Sequence, residues 1–241
     1  MDTQIYGSYT MKINTYKKYN SLRNFLYNIE SVRKIYSFFM SDIPDKKASK
    51  LLNKYGFESL NILVDIFDSL GVVFFCEFGT LLGLIRENGF IPHDNDLDLG
   101  VLKSDKFSWK LFENNLLKRG LKKEHSYKYD GQITEQTYRF PNGLTVDFFL
   151  YEIEGNQMHT FVYYKDHKAT YEKKELRSVK KLSYPLIEGY KKISVNGCVV
   201  PVPVNPEEHL EAIYGTGWRI PDPDYVPDRK QNIMPLLGEK I

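Results

Sequence analysis

One pattern limits the folds open to this chain more than any other. Asp94, Asp96 and Asp98 stand at alternate positions in HDNDLDLGV. In an extended strand, side chains at i, i+2 and i+4 share one face, about 6.6–7 Å apart. Asp96 and Asp98 therefore point the same way whether or not Asp94 still belongs to the entering loop. Strands disfavour aspartate, and two like charges ~7 Å apart repel by about 2.4 kcal/mol at an effective dielectric near 20. A partly buried pair of this kind calls for protonation or a matching cation. A hard divalent ion is the simplest match. Mg²⁺ takes oxygen ligands and commonly uses one or two carboxylates together with substrate phosphates. A solvent-facing acidic turn is the alternative, but such turns do not usually interleave their acids with apolar residues.

The flanking residues extend the constraint. Residues 72–78 are β-rich and read as a central strand. Gly79-Thr80 then opens a helix-compatible segment to Arg86, and Asn88-Gly89 marks a turn. A strand that runs into glycine and a helix N-terminus leaves backbone N–H groups for a phosphate, and glycine allows close approach. Gly79 and Thr80 are candidates for that task. Arg86 either clamps a phosphate or pairs with a nearby acid. A further aspartate, Asp147, sits inside the apolar run TVDFF. Buried carboxylates are rare unless paired or coordinating. If its strand lies beside that of Asp96 and Asp98, the three carboxylates converge; otherwise Asp147 makes a local hydrogen bond.

The remaining chain reads as support. Residues 16–40 have helical apolar spacing and form either a packing helix or a membrane-surface helix. Pro44 marks a break, and a second helix is expected over about residues 46–70, weakened or divided at Gly56. Ser104 reads as the N-cap of a helix over 105–119, with Gly120 after it. Strands are expected at 121–129, 132–140 and 144–151, the last two joined by Pro141-Asn142-Gly143. Further strands are expected near 159–164, 191–195 and 198–203, the last pair joined at Asn196-Gly197. The Lys-rich segment 165–181 reads as mostly solvated. Asn205 precedes a helix over 206–214 with Pro206 at its first position, and the tail from Gly215 has no periodic pattern.

Composition excludes several classes. The 241 residues suffice for one large domain with an appended element, and 42% hydrophobic content allows a sizeable core. A net charge of +2 gives no global field for nucleic acid. The two cysteines, Cys76 and Cys198, form no CxxC pair, so a disulfide scaffold and a zinc ribbon are both disfavoured. The polar N-terminal stretch lacks the apolar core of a secretory signal. No apolar window is long enough for a membrane span. The expectation is a soluble, cytoplasmic protein, with peripheral association at the inner face of the membrane as its membrane-linked variant.

A strand, a Gly-Thr corner, a helix, an Asp-x-Asp strand and a later strand with a third Asp together resemble the nucleotidyltransferase superfamily. More narrowly, the chain resembles the LicD family of fukutin-like phosphotransferases. The resemblance rests on Gly79-Thr80-Leu81-Leu82-Gly83, Arg86, Gly89-Phe90-Ile91-Pro92, Asp94-Asn95-Asp96-Leu97-Asp98-Leu99-Gly100, Val146-Asp147-Phe148-Phe149, and EHLEAIYGTGW from Glu208 to Trp218. His93 and Asn95 depart from the family's usual residues without removing an expected ligand.

This resemblance implies an α+β fold of the DNA polymerase beta-like type, a mixed sheet with flanking helices and an N-terminal helical extension. It divides the chain into an extension (1–45), a catalytic domain (46–220) and a tail (221–241). The implied activity is transfer of a phosphorylated alcohol, such as phosphocholine, glycerol phosphate or ribitol phosphate. The donor is CDP-linked, the acceptor is a hydroxyl of a cell-surface glycan or glycolipid, and CMP is released. Mg²⁺, with Mn²⁺ as a substitute, would be held by Asp96 and Asp98, with Asp94 as a further ligand. Asp147 would complete the metal site or accept the acceptor's proton. Gly79, Thr80 and Arg86 would hold the donor phosphates. A nucleotidyltransferase that uses an NTP and a catalytically silent binding member of the fold are the alternatives. No nucleic-acid partner is expected.

Overall fold

Helix α1 (Lys46–Leu70) carries an apolar stripe in which Leu52, Leu60, Leu63 and Phe67 are fully buried. The computed structural model describes residues 46–164, 175–222 and 236–240. The helix expected over 16–40 lies outside the described residues. Gly56 does not divide α1. A Cβ at that position would stand 2.4 Å from the ring of Phe90, so the missing side chain makes room for that ring against the helix.

The expected central strand is short, β1 (Phe74–Cys76), because helix α2 (Phe78–Arg86) starts almost at once. Strand β2 (Asp96–Leu102) follows. Helix α3 (Trp109–Lys118) begins four residues later than expected. Residues 104–107 form a turn instead, with the Phe107 N–H donating to Ser104's carbonyl, and Ser108 occupies the cap position. Strands β3 (Lys122–Tyr129), β4 (Gln132–Arg139) and β5 (Thr145–Glu154) then run as hairpin-linked neighbours. Strand β6 (Gln157–Tyr164) pairs with β7 (Glu175–Pro185), so the Lys-rich stretch read as solvated ends in a long strand. A separate hairpin, β8 (Tyr190–Val195) and β9 (Cys198–Pro203), turns at Asn196-Gly197, both with positive φ. Helix α4 (Pro206–Tyr214) follows, and β10 (Leu236–Lys240) adds an unexpected strand in the tail.

The main sheet has eight strands in the order β1-β2-β5-β4-β3-β10-β7-β6, and a β5–β6 pairing closes six of them into a ring. All pairings are antiparallel except β2–β5, which is parallel. This mixed α+β arrangement, with helices flanking a mixed sheet, is the class expected from sequence.

Strand alternation sorts the side chains. Leu97, Leu99 and Val101 of β2, with Val146 and Phe148 of β5, face the main core formed with α1, α3 and the β8–β9 hairpin. Phe67 of α1 stacks on Phe74 at 4.0 Å between ring centroids. Burial of each such aromatic stabilises the fold by about 1.5–3 kcal/mol. The opposite face carries Asp96 and Asp98, then Asp147, and a smaller apolar cluster of Phe75, Phe149, Tyr151, Met158 and Tyr184. Among the described residues no helix is long and apolar enough to cross a membrane.

Candidate active site

The parallel register of β2 and β5 sets Asp98 directly opposite Asp147, and Asp96 opposite Thr145. Neighbouring strands lie about 4.7–4.9 Å apart, so Asp98 and Asp147 stand side by side with Asp96 next along the same face. The convergence expected of these three aspartates therefore occurs on the backbone. Asp94 precedes the strand in a turn, where its N–H donates to Ile91's carbonyl and its Oδ1 accepts from the Asn95 N–H at 3.1 Å.

Helix α2 is fastened to this strand at its first turn. Glu77 is extended and Phe78 takes a left-handed φ of 41°, so the chain turns sharply from β1 into the helix. Gly79 then donates its N–H to Asp98 Oδ2 at 3.2 Å, and Thr80 Oγ1 accepts the Asp98 N–H at 2.8 Å. The Glu77 N–H donates to the Asp98 carbonyl at 3.0 Å. A Cβ on Gly79 would lie 2.4 Å from Asp94 Oδ2 and 3.4 Å from Asp98 Oδ2. Only glycine leaves these carboxylates room at the helix start. Gly79 and Thr80 thus hold the aspartates directly.

Charge at the site is uncompensated. Burial pushes Asp94 up to about 6, and burial with the neighbouring Asp94 pushes Asp96 up to about 7. Asp147 is raised to about 7 by burial and by Asp96. Asp98 is held well above the usual carboxylate range by burial first, then by Asp96, Asp94 and Asp147. Glu135 of β4, which sequence reasoning did not single out, is likewise raised well above its ordinary value by burial, Asp147 and Asp96. Among the described residues none of these five carboxylates forms an ion pair.

Asp147 is oriented by a chain of hydrogen bonds. Thr137, opposite it on β4, donates its hydroxyl to Asp147 Oδ1 at 2.5 Å. The single hydroxyl proton is thereby committed, so His125 Nε2, 2.9 Å from Thr137 Oγ1, donates in turn. The β3–β4 register puts His125 opposite Thr137. No sequence spacing marks these partners, because pairing alone brings them together.

A second buried network lies behind the helix start. Glu77, 0% exposed, accepts the Tyr151 hydroxyl at 2.8 Å, and His209 Nε2 of α4 lies 3.0 and 2.9 Å from its two oxygens. At the other end of α2, Arg86 donates to Trp218's carbonyl at 3.1 Å and pairs with Glu87 at 2.7 Å. The C-terminal segment from α4 to Trp218 thus grips both ends of the helix that carries Gly79 and Thr80. Of the two roles open to Arg86, the structure displays the ion pair with an acid.

The ligand type at the site is the one a hard cation takes. The four aspartates offer carboxylate oxygen, and their half-buried charge lacks a counterion among the described residues. Their oxygens do not converge on a single point: among the described residues, no three Asp, Glu, His or Cys side chains stand in metal-ligating geometry.

Residues 71–205 match the family model described as LicD/FKTN/FKRP, nucleotidyltransferase domain. The ribitol-5-phosphate transferase FKTN of Mus musculus is 25% identical over 192 residues, covering 77% of this chain and 38% of that protein. The uncharacterized protein RT0683 of Rickettsia typhi is 24% identical over 148 residues, covering 61% of this chain and 43% of that protein. The chain thus spans about two fifths of the length of these curated relatives. Among solved structures, the lincomycin-bound lincosamide antibiotic adenylyltransferase LnuA overlays with a TM-score of 0.36 at 7% identity, covering 61% of this chain and 78% of that one.

Proposed function

Because the chain belongs to the LicD/FKTN/FKRP nucleotidyltransferase-domain family, we propose that it is a metal-dependent transferase of phosphorylated alcohols. In this reading a CDP-linked alcohol donates ribitol phosphate, glycerol phosphate or phosphocholine to a glycan or glycolipid hydroxyl, and CMP leaves. The observation that carries the reading is the set of half-buried, uncompensated aspartates Asp96, Asp98 and Asp147 on one sheet face. The similarity to FKTN, named as a ribitol-5-phosphate transferase, supports the substrate class.

Asp96 and Asp98 would hold Mg²⁺, or Mn²⁺ in its place, with Asp94 and Asp147 beside them. The ion would supply charge neutralisation for the diphosphate and its leaving oxygen. The protein's own share is positioning, on which phosphoryl transfer largely depends. Gly79's N–H and Thr80's hydroxyl fix Asp98 in side chain and backbone. Thr137 fixes Asp147. Gly79 also lets the Asp94 and Asp98 carboxylates close in at the helix N-terminus, where the donor phosphates would be met through the cation they hold. Arg86, held by Glu87 and by Trp218's carbonyl, would be the cation beside the donor phosphates. The proposed setting is the cytoplasm or the inner face of the membrane.

The test is product identification. With Mg²⁺ and a panel of CDP-ribitol, CDP-glycerol and CDP-choline, the protein should release CMP from one of them. Release of pyrophosphate from an NTP would replace this reading with nucleotidyl transfer.

A further inference from the structure

Strand β4 holds polar residues on both faces, and nearly all are partnered. Thr134 bonds Tyr163 at 2.6 Å, Gln136 bonds Ser126 and Tyr138, and Thr137 bonds His125 and Asp147. Glu135 is the exception. It is 7% exposed, and its carboxylate makes no hydrogen bond or ion pair among the described residues. Its oxygens are not sealed off, so they stay free for a group that enters the site.

The register shows where it points. Thr137 lies opposite Asp147 and Glu135 lies opposite Phe149. Glu135 therefore projects from the same face as Asp147, in the diagonal position next to it, within reach of a long side chain. Asp147 stands between Asp98 on β2 and the Thr137–Glu135 strand β4. The site thus has two flanks. The β2 flank carries the Asp-x-Asp pair and the Gly79 corner. The β4 flank carries one carboxylate with both oxygens uncommitted, while an oxygen of Asp147 already accepts from Thr137.

We propose that Glu135 is a catalytic residue that receives the acceptor hydroxyl, leaving Asp147 to the Asp96–Asp98 side. This rests on the transferase reading above. Glu135 accepts the hydrogen bond of the acceptor O–H and aligns its oxygen on the phosphorus next to the transferred alcohol. As the new P–O bond forms, the bond from that phosphorus to the bridging oxygen breaks, and the electron pair leaves with CMP. The hydroxyl proton passes to Glu135 and then to water. A positioned general base typically contributes 10²–10⁴-fold.

The experiment compares wild type, E135Q and E135A in the CDP-ribitol, CDP-glycerol and CDP-choline panel. Three readouts are followed: CMP release with water as the smallest acceptor, Mn²⁺ binding by calorimetry, and melting temperature. CMP release should fall by about a hundredfold or more in both variants. Mn²⁺ affinity should stay within a factor of about two, and melting should be unchanged or raised as a buried charge is removed. Undiminished CMP release in a folded E135Q or E135A overturns the proposal alone. Loss of Mn²⁺ binding in these variants overturns it too, by making Glu135 part of the cation site. A wild-type protein that binds no donor and releases no CMP overturns the transferase reading and this proposal with it.

Discussion

Two acidic sites meet at Asp98, one buried and one half-buried, and they are built on opposite plans. Behind it, Glu77 is enclosed by Tyr151 and His209, and both its oxygens are engaged. In front of it, Asp94, Asp96, Asp98, Asp147 and Glu135 crowd together with no cation among the described residues. A buried charge that is fully paired holds structure in place, and its removal leaves a partner stranded. A half-buried cluster of like charge works against the fold unless something binds it. The first site therefore reads as a fastening and the second as a place prepared for a ligand. The Glu77 N–H to Asp98 carbonyl bond connects the two.

The largest effect should come from breaking the fastening. His209→Ala leaves Glu77 buried with Tyr151 as its remaining side-chain partner, a change that costs about 3–5 kcal/mol. At roughly 2–4 °C per kcal/mol for a domain of this size, melting should fall by about 6–20 °C in a calorimetric scan. Asp98→Asn makes the opposite case. Removal of one charge from the crowded site should leave the melting temperature unchanged or raise it. CMP release should fall about 10²–10³-fold, the scale of one lost electrostatic stabiliser. If H209A melted like wild type while D98N collapsed, the contrast between the two sites would be reversed.

This contrast was only half legible in the sequence. The acid–apolar alternation from Asp94 to Leu99 announces a one-faced carboxylate strand, and Asp147 stands out because phenylalanine and valine surround it. Whether the two strands touch depends on the parallel β2–β5 pairing, which no local pattern encodes. Glu135 escaped notice because QITEQTYR is polar on both faces, so its burial comes from the closed ring of strands. Glu77 left a trace, as the one charge interrupting an apolar window. Its partner is 132 residues away on a helix that reads as ordinary. Strand β7 was hidden by its lysines, whose stems tolerate a half-exposed sheet. Arg86 leaves two roles open, and its partners in the fold are its neighbour Glu87 and a backbone carbonyl 132 residues away.

Acidity offers a finer probe of the crowded site. In the unfolded chain these aspartates titrate near 3.9, whereas in the folded protein Asp94 is raised to about 6, and Asp96 and Asp147 to about 7. The folded state thus binds more protons than the unfolded state between about pH 4 and 7. Stability contributed by the protonated cluster is present below pH 4 and is lost as pH rises through 6–7. Metal-free wild type should therefore lose stability relative to D98N across that window. Mn²⁺ should restore more melting temperature at pH 8 than at pH 5. Parallel stability curves for the two proteins would mean that the carboxylates are not in conflict.

The smallest change tests whether crowding at the helix start serves the ligand. In Gly79→Ala the new methyl group meets Asp94 Oδ2 at 2.4 Å, and that oxygen sits on a side chain able to swing aside. Alanine also favours the helix by up to about 1 kcal/mol over glycine, so melting should shift by only a few degrees in either direction. Asp94 must nevertheless leave its place beside Asp98. If the front site exists to gather oxygen around a cation, calorimetry should record a loss of about 10–100-fold in Mn²⁺ affinity, the usual penalty for disturbing a ligand's surroundings. Unchanged affinity would remove Asp94 from the site and leave the strand pair Asp96 and Asp98, with Asp147, to hold it. The front cluster would then be narrower than its charge suggests, and the methyl group would be a matter of packing alone.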